Sequence, residues 1–257
     1  MNFQSITPDT SISLFVKNIL VFESADQDTQ ASLPFFADGY PGLMFQQTDN
    51  GLTVNPHRKV MPVLFLYGQT VKPIELEISG AYEIIVFQLY PFVLKSFFSI
   101  SPQTITDGCY DLNDVGEFDI AALANQLLLY DTLAQKIEGI TKLLYQFFEA
   151  KKQHIDYTIK QVIERVIAAK GQESISGIAN ELQINGRTLE RRFLNEVGLS
   201  PKQFAKIIQF DASLEQLTAK DFTKLTDIVY ENGFSDQSHF IKVFKAFTGK
   251  TPKAFKI

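Results

Sequence analysis

A chain of 257 residues is long enough for one large or two ordinary domains, and its 45% hydrophobic and 21% charged residues fit a packed globular protein, not a disordered or membrane-embedded one. Residues 1–10 lack a cationic stretch followed by an apolar run, and no segment approaches the roughly 20 apolar residues of a membrane span, so the expected location is the cytoplasm. The net charge of −5 hides a split: residues 1–154 carry 9 Lys+Arg against 17 Asp+Glu, a net of −8, whereas 155–257 carry 15 against 12, a net of +3, so only the back half is suited to phosphate.

From Ser11 to about Leu89 short β-branched and aromatic runs alternate with Pro, Gly, Asn and Asp. Leu43–Gln47, Val60–Tyr67, Ile74–Ile78 and Tyr82–Leu89 read as strands, with turns at Asp49-Asn50-Gly51 and Ser79-Gly80. Strands so closely spaced favour an antiparallel barrel or sandwich. The aromatics Phe45, Phe65, Tyr67 and Phe87 on these runs are candidates to line an effector pocket, with burial in plain core as the alternative. A single cysteine, Cys109, can form no internal disulfide and has no partner cysteines for a zinc site.

After Pro91 the period lengthens. Phe92–Ser99 predicts a short helix, and Phe118–Tyr130 and Leu133–Ala150 longer ones. In the last, Leu133, Ile137, Ile140, Leu144 and Phe147 recur at steps of 4, 3, 4 and 3. Such a stripe serves either as a dimer seam or as packing against its own domain, and the spacing supports both. The polar stretch Lys151-Lys152-Gln153-His154 then marks a boundary, giving domains at 1–150 and 151–257.

The C-terminal part holds an internal repeat. Leu189 and Phe193 return 51 residues later as Phe240 and Phe244, and Gly198, Ser200, Pro201, Lys202 and Phe204 return as Gly249, Thr251, Pro252, Lys253 and Phe255. Each copy reads as helix, tight turn, helix. Ile175, Ile178, Ala179 and Leu182 make the apolar face of the first, and Leu225, Ile228 and Val229 that of the second. Asn185 is placed to cap one second helix and Ser235 or Asp236 the other, with Gly233 permitting a turn and Gly198 and Gly249 suiting helix ends. A helix-turn-helix presents its second helix to the major groove in this way.

Ala179 through Leu182, Arg187 through Phe193, the Gly-Leu-Ser-Pro loop at 198–201 and Gly233 through Phe240 together resemble the DNA-binding domain of the AraC/XylS regulators, over roughly residues 155–257. Two positions depart from that pattern: Val229 stands where a small Ala is usual, and Gln209 where an Arg often sits on the joining helix, expected over Pro201–Leu217. The resemblance implies an α+β chain: a β-rich, barrel-like (cupin-like) sensing domain with flanking helices, followed by a seven-helix all-α domain with two helix-turn-helix units. It implies double-stranded DNA, a small-molecule effector and RNA polymerase as partners; a second copy of the chain is expected where the Leu133–Phe147 stripe serves as a dimer seam, and no cofactor and no catalytic residue are expected.

Carried across by position, the first reading helix spans about Gly186 to Val197. Arg187, Glu190 and Arg191 share an exposed face while Leu189 and Phe193 point inward. An arginine there can fork onto guanine and Glu190 can accept from cytosine. Thr188 joins the DNA-binding set, and Arg192 and Asn195, nearer the flank, are assigned to phosphate. In the second unit the equivalent residues are Gln237, Ser238, His239 and Lys242, His239 having local capping or packing as its alternative.

Competing chemistries lack their residues. A barrel metalloenzyme needs clustered His and carboxylate ligands, yet 1–154 contains only His57 and His154. Gly249-Lys250-Thr251 has Phe244 where a phosphate loop needs its leading glycine. The acidic neighbours Asp107 and Asp111 argue against Cys109 as a reactive thiol.

Overall fold

A computed structural model describes residues 2–56, 58–116 and 118–255; His57 lies outside them. Ten strands precede most of the helices: β1 (Asn2–Ile6), β2 (Val16–Ser24), β3 (Gln30–Phe35), β4 (Gly42–Thr48), β5 (Leu52–Asn55), β6 (Lys59–Val60), β7 (Leu64–Tyr67), β8 (Ile74–Ser79), β9 (Tyr82–Leu89) and β10 (Cys109–Asp111). They form two antiparallel sheets, β1-β2-β9-β4-β7-β10 and β3-β8-β5-β6. Neither closes on itself, so the barrel-like expectation becomes an open two-sheet sandwich. Short alternating strands suit either form, because closure depends on which edges pair. The run expected as one strand over Val60–Tyr67 is also divided. Pro62 interrupts it, and β6 and β7 belong to different sheets.

Alternation explains how the six-stranded sheet is used. Met44, Phe65, Tyr67, Tyr82, Ile84 and Val86 meet Leu33, Leu52, Val54, Leu76 and Ile78 of the other sheet. Leu43, Phe45, Leu64, Leu66, Ile85 and Phe87 form the opposite face and pack under helices. A strand buried on both faces reads as a continuous apolar run, which is the character of β9.

Those helices are α1 (Val93–Phe98), α2 (Ile120–Leu129) and α3 (Leu133–Lys151). Thr132 and Gln135 close a capping box at the start of α3. Ile140, Leu144 and Phe147 of its stripe are fully buried in the protomer's own core, Phe147 with its ring 4.6 Å from that of Phe98. Packing against its own domain therefore consumes the stripe, and the dimer-seam reading of Ile140 and Leu144 is set aside. Lys136, on the same helix, is buried with its ammonium 2.7 Å from Glu83 and 2.8 Å from Gln47.

The remaining helices are α4 (Tyr157–Ala168), α5 (Ile175–Glu181), α6 (Gly186–Val197), α7 (Pro201–Thr218), α8 (Leu225–Glu231) and α9 (Gln237–Thr248). Among the described residues, six helices therefore stand where seven were expected. Residues 252–254, beginning at Pro252, make only a turn, with the Ala254 and Phe255 amides both donating to the Thr251 carbonyl. The apolar core runs without a break from the helix-facing side of the sheet into this region, and includes Phe87, Phe97, Phe193, Phe204 and Phe244.

Candidate nucleic-acid interface

The two units share a local grammar. Ser174 caps α5, Asn185 caps α6 by accepting from the Arg187 amide at 3.0 Å, and Asp236 caps α9 by accepting from the His239 amide at 2.8 Å. Gly198 (φ 85°) and Gly249 (φ 73°) end α6 and α9 in the left-handed conformation. The turns differ by one residue: Leu182 to Asn185 joins α5 to α6, and Asn232 to Asp236 joins α8 to α9. The left-handed position is Gln183 (φ 52°) in the first and Gly233 (φ 71°) in the second.

On α6, Leu189, Phe193 and Val197 are buried, while Arg187, Glu190, Arg191, Leu194 and Asn195 form one exposed stripe. Among the described residues, Arg187, Glu190 and Arg191 enter no side-chain hydrogen bond or ion pair, so their heads are free for a ligand. Thr188 is half-buried at the edge of the stripe. Arg192 is not free. Its guanidinium makes a two-pronged bond to Asp156, 2.9 Å from Oδ2 and 2.5 Å from Oδ1, and so ties α6 to the N-terminus of α4. The phosphate role expected of Arg192 thus competes with a structural one.

On α9, Gln237, Ser238, Lys242 and Lys245 are exposed, with Ile241 half-buried between them. His239 is held locally, its Nδ1 3.2 Å from Ser235 Oγ and its ring edge-on to Phe234. Leu194 and Lys245 had not been singled out, although each continues its stripe at a helical step from Arg191 and Lys242. Gln209 donates to the Asn232 carbonyl at 2.8 Å, giving α7 a neutral tie to the second turn where an arginine is usual.

Comparison with known proteins agrees with this geometry. The profile of a family described as a helix-turn-helix domain matches residues 178–256. One similar protein is the HTH-type transcriptional activator RhaS of Yersinia pestis (strain Pestoides F), 30% identical over 30% of this chain and 28% of its own. This region is an AraC/XylS-type helix-turn-helix domain. An uncharacterised HTH-type transcriptional regulator of Staphylococcus aureus (strain MSSA476) is 30% identical over 32% of this chain and 11% of its own. The chain thus spans less than a third of the length of these curated relatives. ToxT from Vibrio cholerae O395 superposes with a TM-score of 0.49 at 14% identity, covering 97% of this chain and 95% of that one. Residues 4–111, outside the AraC/XylS-type domain, match a family described as a domain of unknown function, DUF6597.

The N-terminal candidates do not converge. Phe45 and Phe87 lie on the helix-facing side of the sheet and Phe65 and Tyr67 on the inter-sheet side, because paired positions share a face and neighbours alternate. Tyr67 borders a cavity of about 300 Å³ also lined by Lys59, Thr70, Asp107 and Cys109. Burial pushes the Cys109 thiol up to about 11 despite nearby Lys59, so it stays protonated at neutral pH. Among the described residues no group of three or more His, Cys, Asp and Glu is placed to hold a metal ion, and no helix is long and apolar enough to cross a membrane.

The AraC/XylS-type domain meets the sandwich at both ends. Lys95 on α1 pairs with Glu196 at 2.6 Å, and Gln103 donates to the Leu194 carbonyl at 2.7 Å. Gly39 packs on Phe204 and Ile208 of α7, and Phe36 lies 5.4 Å from Phe255 between ring centres. Beside Gly39, burial raises the Asp38 carboxyl to about 6, opposed by bonds from the Tyr40 amide and the Gln88 side chain. Burial likewise raises Asp211 on α7, with repulsion from Asp38 and Glu215 added and Lys17 opposing.

Proposed function

We propose that the chain is a sequence-specific, DNA-binding transcription regulator of the cytoplasm, with no catalytic role of its own. The observation that carries this reading is the stripe on α6, where Arg187, Glu190 and Arg191 stand exposed and uncommitted on the second helix of a helix-turn-helix unit. Two arginines suit the acceptor edge of guanine and one carboxylate the amino group of cytosine. The α9 stripe, with Gln237, Ser238, Lys242 and Lys245, supplies a second contact at lower charge density.

In the same reading a small molecule acts through the sandwich, with the cavity at Tyr67 as its site in preference to the dispersed Phe45, Phe65 and Phe87. A homodimer built on the α2–α3 helices uses the outer side of α2, where Leu129 is 81% exposed, because the α3 stripe is occupied. Contact with RNA polymerase rests on the resemblance alone.

Selection from a pool of random duplexes, followed by salt titration on the enriched sequence, tests the central claim. A DNA-binding regulator yields one enriched motif and an affinity that falls linearly in log–log coordinates with salt. No enrichment and no salt-dependent binding by the folded 257-residue chain would remove it.

A further inference from the structure

The N-terminal domain touches the first reading helix at the end of its exposed stripe. A short 3-10 turn, Pro102–Ile105, is held against α6 by Gln103 Nε2, which donates to the Leu194 carbonyl, an acceptor shared with the Gly198 amide. Pro102 lies so close to Gly198 that a Cβ there would stand 2.9 Å from it. Gln103 is in turn fixed by the Ser101 hydroxyl at 2.8 Å, and the Thr104 hydroxyl bonds the Ser101 carbonyl at 2.7 Å. Ser101, Gln103 and Thr104 are exposed while Pro102 and Ile105 are buried. The turn therefore presents a polar edge beside the Leu194 end of the α6 stripe.

The turn itself carries no carboxylate. Residues 1–154 carry a net −8, yet no Asp or Glu occurs from Ile84 to Thr106, and Lys95 lies within that stretch. It is one of two long acid-free stretches in the domain, the other being residues 50–74, and it is the one that abuts α6. The α6 stripe from Arg187 to Asn195 spans about 12 Å along the helix axis, close to the width of a major groove. An element standing at the end of such a stripe meets the sugar-phosphate wall. With the Ser101 and Thr104 hydroxyl protons engaged inside the turn, the second N–H of the Gln103 amide is the side-chain donor left for a phosphate oxygen, and most contacts between proteins and DNA go to phosphate and sugar.

We propose that the Ser101–Thr104 turn of the N-terminal domain is part of the DNA interface, contacting the phosphates that flank the groove entered by α6. The proposal rests on the DNA-binding reading above and extends it across the domain boundary. It makes the sandwich a direct partner of DNA, so that a shift of this domain alters affinity without any change in α6 itself.

The test uses the whole 257-residue chain on its selected duplex, with Thr104→Lys and Thr104→Glu set against Gln30→Lys and Gln30→Glu. Gln30 is an exposed control at the far end of β3 from the Phe36–Phe255 contact. Thermal melting first confirms that the four variants fold. The expected result is that Thr104→Lys steepens the salt slope by about one unit and that Thr104→Glu weakens binding by roughly 3- to 10-fold, with the Gln30 pair close to wild type. Equal shifts at positions 104 and 30 mean a field effect of net charge and overturn the proposal while leaving DNA binding intact. A folded wild-type chain that binds no duplex overturns both.

Discussion

The two helix-turn-helix units are built alike and anchored differently. Each has a capped second helix closed by a left-handed glycine, yet the first is clasped by the sandwich through Lys95–Glu196, Gln103 and a tight Pro102–Gly198 contact. The second meets it more loosely. The nearest atom to a Cβ built on Gly249 is Pro73 at 3.9 Å, and a cleft of about 620 Å³ opens between Pro34, Phe36 and Pro73 on one side and Leu214, Thr248 and Phe255 on the other. The exposed stripes differ in step, with arginines and a carboxylate on α6 against amide, hydroxyl and lysine groups on α9. Duplication thus preserves what local geometry needs and leaves anchoring and surface chemistry free to diverge.

The anchoring difference can be broken most directly at the paired glycines. Gly198→Ala adds overpacking against Pro102 to left-handed backbone strain and is expected to cost about 2–4 kcal/mol, whereas Gly249→Ala meets strain alone, about 1 kcal/mol. Urea unfolding of both variants checks this, and equal losses would contradict the unequal clasp.

The joint between domains is expected to respond to pH. A carboxyl raised in the folded state binds its proton more tightly there than in the unfolded chain, so its contribution is complete below about pH 4 and is lost as pH rises through about 6. For Asp38 this amounts to at most about 3 kcal/mol. Unfolding free energies at pH 4 and pH 7 for wild type and Asp38→Asn test it: the variant should lose that part of the pH dependence. An unchanged profile would show that Asp38 is not the group responsible.

The difference in reading chemistry predicts unequal specificity. Arg191→Ala should reduce discrimination between the selected and a random duplex by about 1–3 kcal/mol, the worth of a good two-pronged base contact, and Gln237→Ala by less. The idea fails if, at one fixed salt concentration, Gln237→Ala erases specificity as fully. Smallest of all, Lys242→Ala should weaken both duplexes alike and flatten the salt slope by about one unit, read from the same titrations.

Much of this domain was legible because its signals are local. Caps at Asn185 and Asp236, glycines at 198 and 249 and a proline starting α7 act within a few residues, so spacing marked both units, and the family resemblance then placed the bounds of α6 and its exposed stripe. What only the tertiary structure decided depends on partners distant in sequence. Arg192 reads as one more exposed cation until Asp156, 36 residues away, takes both its prongs. The α3 stripe suits a partner helix equally well until the sheet and α1 cover it. Phe45 and Phe65 look alike on their strands, but pairing of β4 with β7 sends one toward the helices and the other between the sheets. Periodicity specifies that a face will be buried; which body buries it, and which charges that body claims, is decided only when the whole chain is packed.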